Sequence, residues 1–446
     1  MTATWSDRAP GQPVVPDRFY ADELQRAADR RARVAAPVTS PYDGAPAELA
    51  ARVAQAALEV APAAIALSHD IYDHPEEAFS EVHAAAAVAA LVERAGVPVT
   101  VGVFGQPTAL RAEIGRPGPV IALLAEYDAL PVIGHGCGHN VIAGAAAGAF
   151  LALARIADDL PGRVVLLGTP AEEGNSGKEL LAREGAFDGV DAAIMVHPFG
   201  YEAIDHPFIG RRILQARFTG VSAHASASPF LGRNALDAVV LTYQAVGLLR
   251  QHLPQGDRLH GIVREGGDRP SIVPGRASIE FYLRSHHPET LKDLSARVAD
   301  IARGAALATG TGVELEWDPQ PFTLPIRSNA SLGERWAVHQ RARGRVAHPA
   351  GIAPLELAAS TDFGNVSVRV PGIHPVIAVS PPDVGLHTAE FGEFARGAAG
   401  DRAVSDGAHS LALTALDFVA DPDLRAAVHD DFHRAGGVLD VARYFD

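Results

Sequence analysis

The segment GHGCGHN, residues 134–140, contains the only cysteine of the chain, Cys137, between His135 and His139. A thiol between two imidazoles can act as a buried apolar residue, as a nucleophile or as a metal ligand. Other groups suited to metal chemistry occur elsewhere in the chain, namely Asp128, Glu172, Glu173, His197 and His387. Thiolate, imidazole and carboxylate together make a borderline-to-soft metal site, and this set has enough members for two metals.

Each of these residues has a simpler interpretation when it is taken alone. A single histidine is more often a hydrogen-bonded residue than a ligand, and an isolated cysteine is more often an inert small hydrophobic residue. Adjacent glutamates usually lie on a solvated helix face, but Glu172 and Glu173 follow Thr169-Pro170 after a predicted strand, which favours a turn. The joint occurrence of all these groups at predicted strand ends favours a functional site.

Strand and helix patterns alternate around the candidate residues. Asp128 closes the strand VIALLAEYDAL, Glu172 and Glu173 follow the strand RVVLLGTP, and His197 ends DAAIMVHP. Helix-period segments lie between these strands, which predicts a mostly parallel sheet covered by helices. Because functional groups collect at the carboxyl ends of strands in open α/β sheets, we expect these residues to meet at one edge.

The middle of the chain has a different pattern. Between residues 208 and 322 the predicted order is β-α-β-β-α-β, the order of a ferredoxin-like unit that closes as a small separate domain. We therefore predict an α/β catalytic domain formed by residues 46–207 and 323–446, interrupted by an inserted dimerisation or lid domain at 208–322. Residues 1–45 are predicted to be a polar N-terminal extension.

Composition excludes several classes of protein. The net charge of -15 over 446 residues argues against nucleic-acid binding, which needs a concentrated basic face. A single cysteine cannot form an internal disulfide, which favours a cytoplasmic location. No apolar stretch of signal-peptide length occurs in the first 45 residues, and we expect a soluble protein with no membrane partner.

Five longer blocks resemble a known family: EYDALPVIGHGCGHNVIAGAAAGA, GTPAEEGNSGKELL, DAAIMVHP, GVSAHAS and STDFGNVS. In this order they are similar to the signature blocks of the dinuclear metallopeptidases of the aminoacylase and carboxypeptidase type, peptidase family M20. They most resemble the amidohydrolase branch with the indole-acetyl-amino-acid hydrolases. Asn140 stands where many members of that branch have Asp, which favours the sub-branch of β-alanyl-lysine dipeptidase and the B component of aminobenzoyl-glutamate hydrolase.

The resemblance implies a role for each candidate residue. Cys137 would be a thiolate that bridges two divalent metal ions, with His139 and Glu173 among the ligands. His197 would bind one metal and His387 the other. Glu172 would be the general base, and Asp128 would orient a ligand imidazole. Zn or Mn is favoured as the metal, with Co or Ni as alternatives.

The resemblance also implies a homodimer that forms through the inserted domain. The histidine of GVSAHAS, His224, would reach the partner's active site and stabilise the oxyanion. Substrate contacts are implied for Asn234, Arg284, Ser360, Thr361 and Asp362. The expected activity is metal-dependent cleavage of the amide bond of a small N-acyl amino acid, dipeptide or aminobenzoyl-glutamate-like substrate. The group that binds a substrate carboxylate is not assigned by the blocks.

Two other functions compete with this one. A thiol hydrolase would use Cys137 as nucleophile with a nearby histidine as base, but that leaves the glutamate pair, His197 and His387 unexplained. A non-catalytic partner protein with the same fold is disfavoured by the intact Glu172, because loss of the base is the expected mark of an inactive relative.

Overall fold

The computed structural model describes residues 16–446. The predicted polar extension therefore lies partly outside the described residues, which do not include 1–15. Residues Phe19–Val34 form helix α1, none of whose side chains is fully buried. The domain limits predicted from the sequence, at 45, 207 and 322, stay predictions.

A mixed α/β unit contains most of the chain. Its first part consists of α2 (Ala47–Asp73), α3 (Val82–Arg94), β1 (Val99–Val101), β2 (Leu110–Gly115), β3 (Val120–Ala125), α4 (His139–Ala154), β4 (Arg163–Gly168), α5 (Gly177–Arg183), β5 (Ala192–Ile194) and β6 (His197–Phe199). Its second part consists of α8 (Ala330–Ala342), α9 (Phe363–Ser367), β11 (Gly372–Ile373), β12 (Val376–Ala378), α10 (Ala389–Arg396), α11 (Ala398–Ala420) and α12 (Pro422–Arg434).

The six-stranded sheet has the order β1-β2-β4-β3-β5-β11. Strand β3 pairs in parallel with β4 and β5, and β5 pairs in parallel with β11. This parallel centre confirms the α/β prediction, while β1 and β2 add an antiparallel edge that was not predicted from the sequence. Beyond the sheet, β6 pairs in parallel with β12, which brings the segments around His197 and Pro375 together.

Small residues let the helices pack closely on this sheet. Every residue of β3 is buried, and α4 is buried along nearly its whole length. A Cβ atom at Gly148 would lie 2.9 Å from the Cβ of Ala408 on α11, so the two helices require glycine there. Helix α2 is long and apolar enough to cross a membrane by length and composition, yet its apolar face packs against α4 and α11 in the core.

The inserted unit contains β7 (Gly210–Thr219), α6 (Ala235–Leu249), β8 (Arg258–Glu265), β9 (Arg276–Ser285), α7 (Pro288–Thr309) and β10 (Gly312–Trp317). Its sheet has the order β10-β7-β9-β8, and all its neighbouring strands are antiparallel, as expected for a ferredoxin-like unit. Alternate residues of β9, such as Phe281 and Leu283, are buried, while Tyr282 and Arg284 on the opposite face are only partly buried.

Candidate active site

The predicted ligands converge on one cavity of about 590 Å³ between the mixed sheet and the inserted unit. Cys137 lies in the loop after β3, and Glu172 and Glu173 lie in the turn after β4. His197 begins β6, and His387 lies in the loop after β12. All five of these residues line the cavity, and the sixth candidate, His139, is buried directly behind it at the start of α4.

Two groups of three ligand atoms share the thiol of Cys137. In the first group, Cys137, His139 and His197 each offer an atom within 4.8 Å of the other two. In the second group, Cys137, Glu173 and His387 satisfy the same limit. One sulfur common to two triads is the arrangement that a bridging ligand between two cations requires.

His197 presents an unprotonated nitrogen to the first triad. Its Nδ1–H donates to the carbonyl oxygen of Pro198 at 2.7 Å, and its Nε2 lies 3.6 Å from Sγ of Cys137. Burial, and then the nearby His139, lowers the pKa of His197 to about 3. The imidazole is therefore neutral at physiological pH, which is the form that binds metals.

His139 is held in place by Asp128. Nδ1–H of His139 donates to the backbone oxygen of Asp128 at 2.9 Å and to its Oδ1 at 3.1 Å. The other carboxylate oxygen of Asp128 accepts from the backbone N–H of Glu173 at 2.9 Å, so Asp128 orients two ligand candidates at once. Burial opposes the charged imidazole, yet Asp128 holds the pKa of His139 well above its ordinary value, so a metal ion that binds Nε2 would have to displace a proton.

His387 lies at the mouth of the cavity, where about half of its side chain is exposed. Its Nε2 lies 3.5 Å from Oε1 of Glu173, and its backbone N–H donates to the carbonyl oxygen of Gly136 at 2.9 Å. The backbone of His387 has φ of 62°, an unusual value for a residue with a side chain. Such strain clusters at functional sites, where the surrounding structure holds it in place.

The thiol of Cys137 is poorly suited to act as a nucleophile by itself. Burial raises the pKa of Cys137 well above its ordinary value, and the Glu173 carboxylate raises it further. Reactive cysteines instead have a lowered pKa, whereas here burial and Glu173 outweigh the opposing effect of His139. A bound cation would deprotonate the thiol outright, so this environment suits a ligand.

Glu172 is the carboxyl group best placed to carry a proton. Burial raises the pKa of Glu172 well above its ordinary value, and the adjacent Glu173 carboxylate adds to that effect. The turn that presents Glu172 begins at Ala171, which has φ of 61° and donates its N–H to the buried carboxylate of Glu81 at 2.9 Å. A Cβ at Gly177 would lie 1.8 Å from the carbonyl oxygen of Pro170, so the turn closes only with glycine.

A buried charged group behind Glu172 was not identified from the sequence. Lys178 is fully buried, and its Nζ bonds to Oδ1 of Asp362 at 2.7 Å and to the carboxylate of Glu126. Oε2 of Glu126 lies 3.5 Å from Nε2 of His139. Two features of the sequence could have indicated this buried group. Glu126 precedes Asp128 by two residues along an extended segment, so the two side chains lie on the same side, and Lys178 belongs to the block GTPAEEGNSGKELL.

The predicted substrate residues divide into two groups. Arg284, Ser360, Thr361 and Asp362 line the cavity, and so do Arg211 and Arg258, which were not predicted from the sequence. Asn234 lies elsewhere, where its side chain caps α6 by accepting from the N–H of Leu236 at 2.9 Å. His224 is exposed and does not line the cavity of its own chain. The roles of all these residues stay predictions.

The residues around the cavity fit a pair of divalent cations. Within residues 16–446, Nε2 of His139 and Oε1 of Glu173 are buried and have no hydrogen-bond partner. Buried polar atoms are rarely left in this state, and both belong to the ligand triads. Sulfur, nitrogen and oxygen donors around one cavity match borderline divalent metals.

Comparison with known proteins agrees with the site. Residues 122–390 match the sequence profile of Peptidase family M20/M25/M40. The chain is 37% identical over 395 residues to Xaa-Arg dipeptidase of Mus musculus, which covers 85% of this chain and 91% of the relative. It is 32% identical over 435 residues to the B component of p-aminobenzoyl-glutamate hydrolase from Escherichia coli K12, which covers 80% of this chain and 89% of the relative.

The fold is also found among solved structures. A dinuclear metal binding peptidase of the M20 family from Bacillus subtilis superposes with a TM-score of 0.63 and 19% identity, over 80% of this chain and 98% of the other. The resemblance inferred from the five sequence blocks is therefore confirmed. This chain belongs to the peptidase family M20/M25/M40.

Proposed function

We propose that this protein is a metal-dependent amidohydrolase that cleaves the amide bond of a small N-acyl amino acid, dipeptide or aminobenzoyl-glutamate-like substrate. The observation that carries the proposal is the pair of ligand triads that share Cys137 and lie beside Glu172. Two relatives that cover most of the chain are named for hydrolysis of a dipeptide and of p-aminobenzoyl-glutamate, both of which contain an amide bond.

Five residues would hold the two metal ions. Cys137 would bridge the two sites, with His139 and His197 on one side and Glu173 and His387 on the other. When bound, the two cations would lower the pKa of a water molecule and polarise the substrate carbonyl. Zn or Mn is favoured as the metal, and Co and Ni are alternatives because availability often decides which metal is bound.

Glu172 would transfer a proton from the attacking water to the leaving amine. A carboxylate next to the attacking water takes its proton and later delivers it to the leaving amine, and both steps work best when the pKa lies near the working pH. Burial of Glu172 beside Glu173 moves the pKa of Glu172 in that direction. Asp128 and the Glu81 carboxylate support this role, because they hold the ligand histidine and the turn before Glu172.

We also propose that the inserted unit forms a homodimer. Strand β8 is an edge strand with exposed Ile262 and Val263, and α6 exposes Val240, Leu241 and Leu248. An edge strand with exposed apolar residues is a surface that proteins usually cover. A second copy placed against β8 and α6 would cover these residues and bring a further inserted unit towards the cavity.

The hydrogen bonds of His224 favour a tautomer that would suit a role in the partner's site. Its Nδ1 accepts hydrogen bonds from the N–H groups of Ser226 and Ala227 at 3.3 and 3.2 Å. Because Nδ1 accepts, Nε2 carries the proton in the neutral ring and can donate it to a developing oxyanion. The side chain is exposed in the single chain, so it is free to serve a neighbouring protomer.

The alternative functions have less support. A cysteine nucleophile conflicts with the burial that raises the pKa of the Cys137 thiol. A non-catalytic role would not explain why Nε2 of His139 and Oε1 of Glu173 are buried where metal ligands are expected. A cytoplasmic location remains a proposal that rests on the single cysteine.

A hydrolysis screen tests the proposed function. N-acyl amino acids, dipeptides and aminobenzoyl-glutamate are offered to the purified protein, loaded in turn with Zn, Mn, Co and Ni. We expect at least one of these amides to be hydrolysed with at least one of the four metals, and no hydrolysis after chelation. Activity that survives complete metal removal but is lost on alkylation of Cys137 would favour the thiol hydrolase.

A further inference from the structure

Three arginines lie directly opposite one another on adjacent strands of the inserted sheet. Arg211 on β7 pairs with Arg284 on β9, and Arg284 pairs with Arg258 on β8. All three line the cavity that also contains Cys137 and Glu172. We refer to Arg211, Arg284 and Arg258 as the arginine row.

The three adjacent positive charges of the arginine row repel one another. Like charges directly opposite each other destabilise a sheet. In the described part of the chain, no carboxylate lies within 4.0 Å of any of the three guanidinium groups. Other arginines of the same sheet do have such partners, since Arg212 pairs with Asp318 at 2.7 Å and Arg264 pairs with Glu280 at 2.8 Å. Among the buried or half-buried arginines of this sheet, the three without a carboxylate partner all line the cavity.

Neutral groups hold the row in position without neutralising it. Arg211, which is 5% exposed, donates to the carbonyl oxygens of Gly174 and Pro321 at 3.2 and 3.3 Å, and its buried Nε has no partner in residues 16–446. Arg284 lies over the ring of Tyr282 at 5.2 Å. Burial and the neighbouring Arg211 both lower the pKa of Arg284, which reflects this crowding of positive charge.

We infer that the arginine row recognises the leaving amino acid of the substrate and selects an acidic one, aspartate or glutamate. This inference rests on the proposed amide hydrolysis, because the row faces the same cavity. Neighbouring strands lie about 4.8 Å apart, a spacing comparable with that of the two carboxylates of an extended glutamate. Each carboxylate can then bind one guanidinium in the strong bidentate geometry.

The three arginines would bind different carboxylates of the leaving amino acid. Arg211 contacts Gly174, directly after Glu173, so Arg211 and Arg284 lie at the end nearest the scissile bond and would bind the α-carboxylate. Arg258 lies on the edge strand β8 and would bind the side-chain carboxylate. A neutral leaving residue leaves Arg258 without a partner, and a lysine or arginine residue adds a further positive charge to the row.

Ligand binding tests this assignment without requiring turnover. Zn-loaded full-length protein is titrated calorimetrically with L-glutamate, L-glutamine and L-arginine, which differ mainly in side-chain charge. We expect glutamate to bind at least tenfold more tightly than glutamine, and arginine to bind most weakly. Arg258→Gln should reduce the glutamate-to-glutamine ratio below threefold. Arg264→Gln, on the same strand but outside the cavity, should keep the wild-type ratio.

The outcomes separate this inference from the proposed function. Equal or undetectable binding of glutamate and glutamine overturns the inference, and so does an unchanged ratio in Arg258→Gln whose melting temperature matches that of the wild type. Hydrolysis of the N-acetyl derivatives of the same three amino acids is then compared. Equal kcat/KM for all three rejects the acidic preference but supports amide hydrolysis. Preferential glutamate binding with no hydrolysis in any metal form supports the acidic site and rejects the amidohydrolase.

Discussion

Sγ of Cys137 lies 3.6 Å from Nε2 of His197, although 60 residues separate them in the chain. Strand pairing causes this contact. The loop after β3 carries Cys137, and β6 starts at His197 beside the same edge of the sheet. Each of the two residues could have been structural, but a thiol and a neutral imidazole in contact, with Glu173 and His387 adjacent, favour a metal centre.

The metal content follows from the two triads. We expect the purified protein to contain close to two divalent ions per chain, and chelation to abolish amide hydrolysis and lower the melting temperature. Removal of the ions leaves buried ligand atoms without partners, which destabilises the fold. Elemental analysis and calorimetry before and after chelation measure both effects. A metal-free protein with full activity would contradict the dinuclear site.

The two adjacent glutamates should behave differently. Glu172→Gln should retain both metals and lose about 10²- to 10⁴-fold in kcat, because the substitution removes the general base but none of the metal ligands. Glu173→Gln should lose metal, because Oε1 of Glu173 faces His387 at 3.5 Å and His139 at 3.9 Å. Metal analysis and kcat are measured for both variants. The reverse pattern, with metal lost only in Glu172→Gln, would exchange the two roles.

Lys178 should be essential for stability although it touches no substrate. Lys178→Met leaves the buried carboxylates of Glu126 and Asp362 without a counter-charge, and we expect a loss of about 3–5 kcal/mol in the free energy of unfolding. The same substitution at the exposed Lys292 is the control and should cost less than about 0.5 kcal/mol. Urea denaturation measures both, and equal losses would show that the buried charge group is not stabilising.

The contacts of the buried Asp417 predict how the free energy of unfolding changes at acidic pH. Burial alone would raise its pKa, but hydrogen bonds from His339 at 2.6 Å and Arg335 at 2.8 Å hold the pKa of Asp417 below its ordinary value. A lowered pKa contributes stability that is present above the unfolded pKa of about 3.9 and is lost as the pH falls through the folded value.

Asp417→Asn should therefore be less stable than the wild type at pH 7 and should lose less stability than the wild type when the pH falls from about 4 to 2. Chelated samples of both proteins are unfolded in urea at each pH, so that the ligands contribute equally. Asp430→Asn, at an exposed position, serves as the control. Parallel pH profiles for the wild type and Asp417→Asn would contradict the prediction.

Complementation tests whether His224 acts on the neighbouring protomer. His224→Ala and Glu172→Gln should each be nearly inactive, and co-expression should restore activity in mixed dimers. One site of a mixed dimer has its own Glu172 and receives His224 from the partner, so about a quarter of all sites should work if assembly is statistical. Tagged pull-down establishes that mixed dimers form. No gain in activity in such a sample would mean that His224 does not act in trans.

The order of the elements and the identity of the ligand candidates could be predicted from local patterns in the sequence. Hydrophobic periodicity located β3, β4 and the β-α-β-β-α-β unit, because each is a local pattern of buried and exposed positions. Strand β1 contains no fully buried residue, so it gives no such pattern. Cys137, Glu172 and His197 were identified because they follow buried strands, and strand ends of one sheet meet at one edge.

Which distant groups share an environment depends on how the chain packs in three dimensions. Lys178 and Asp362 are 184 residues apart, and the sequence blocks that contain them do not indicate that the two residues form a buried pair. The arginine row depends on the register of three strands, and a shift of one residue would turn Arg284 to the opposite face. Register is fixed by packing of the whole sheet on its helices, so the charge that faces the substrate cavity cannot be read from the order of the residues.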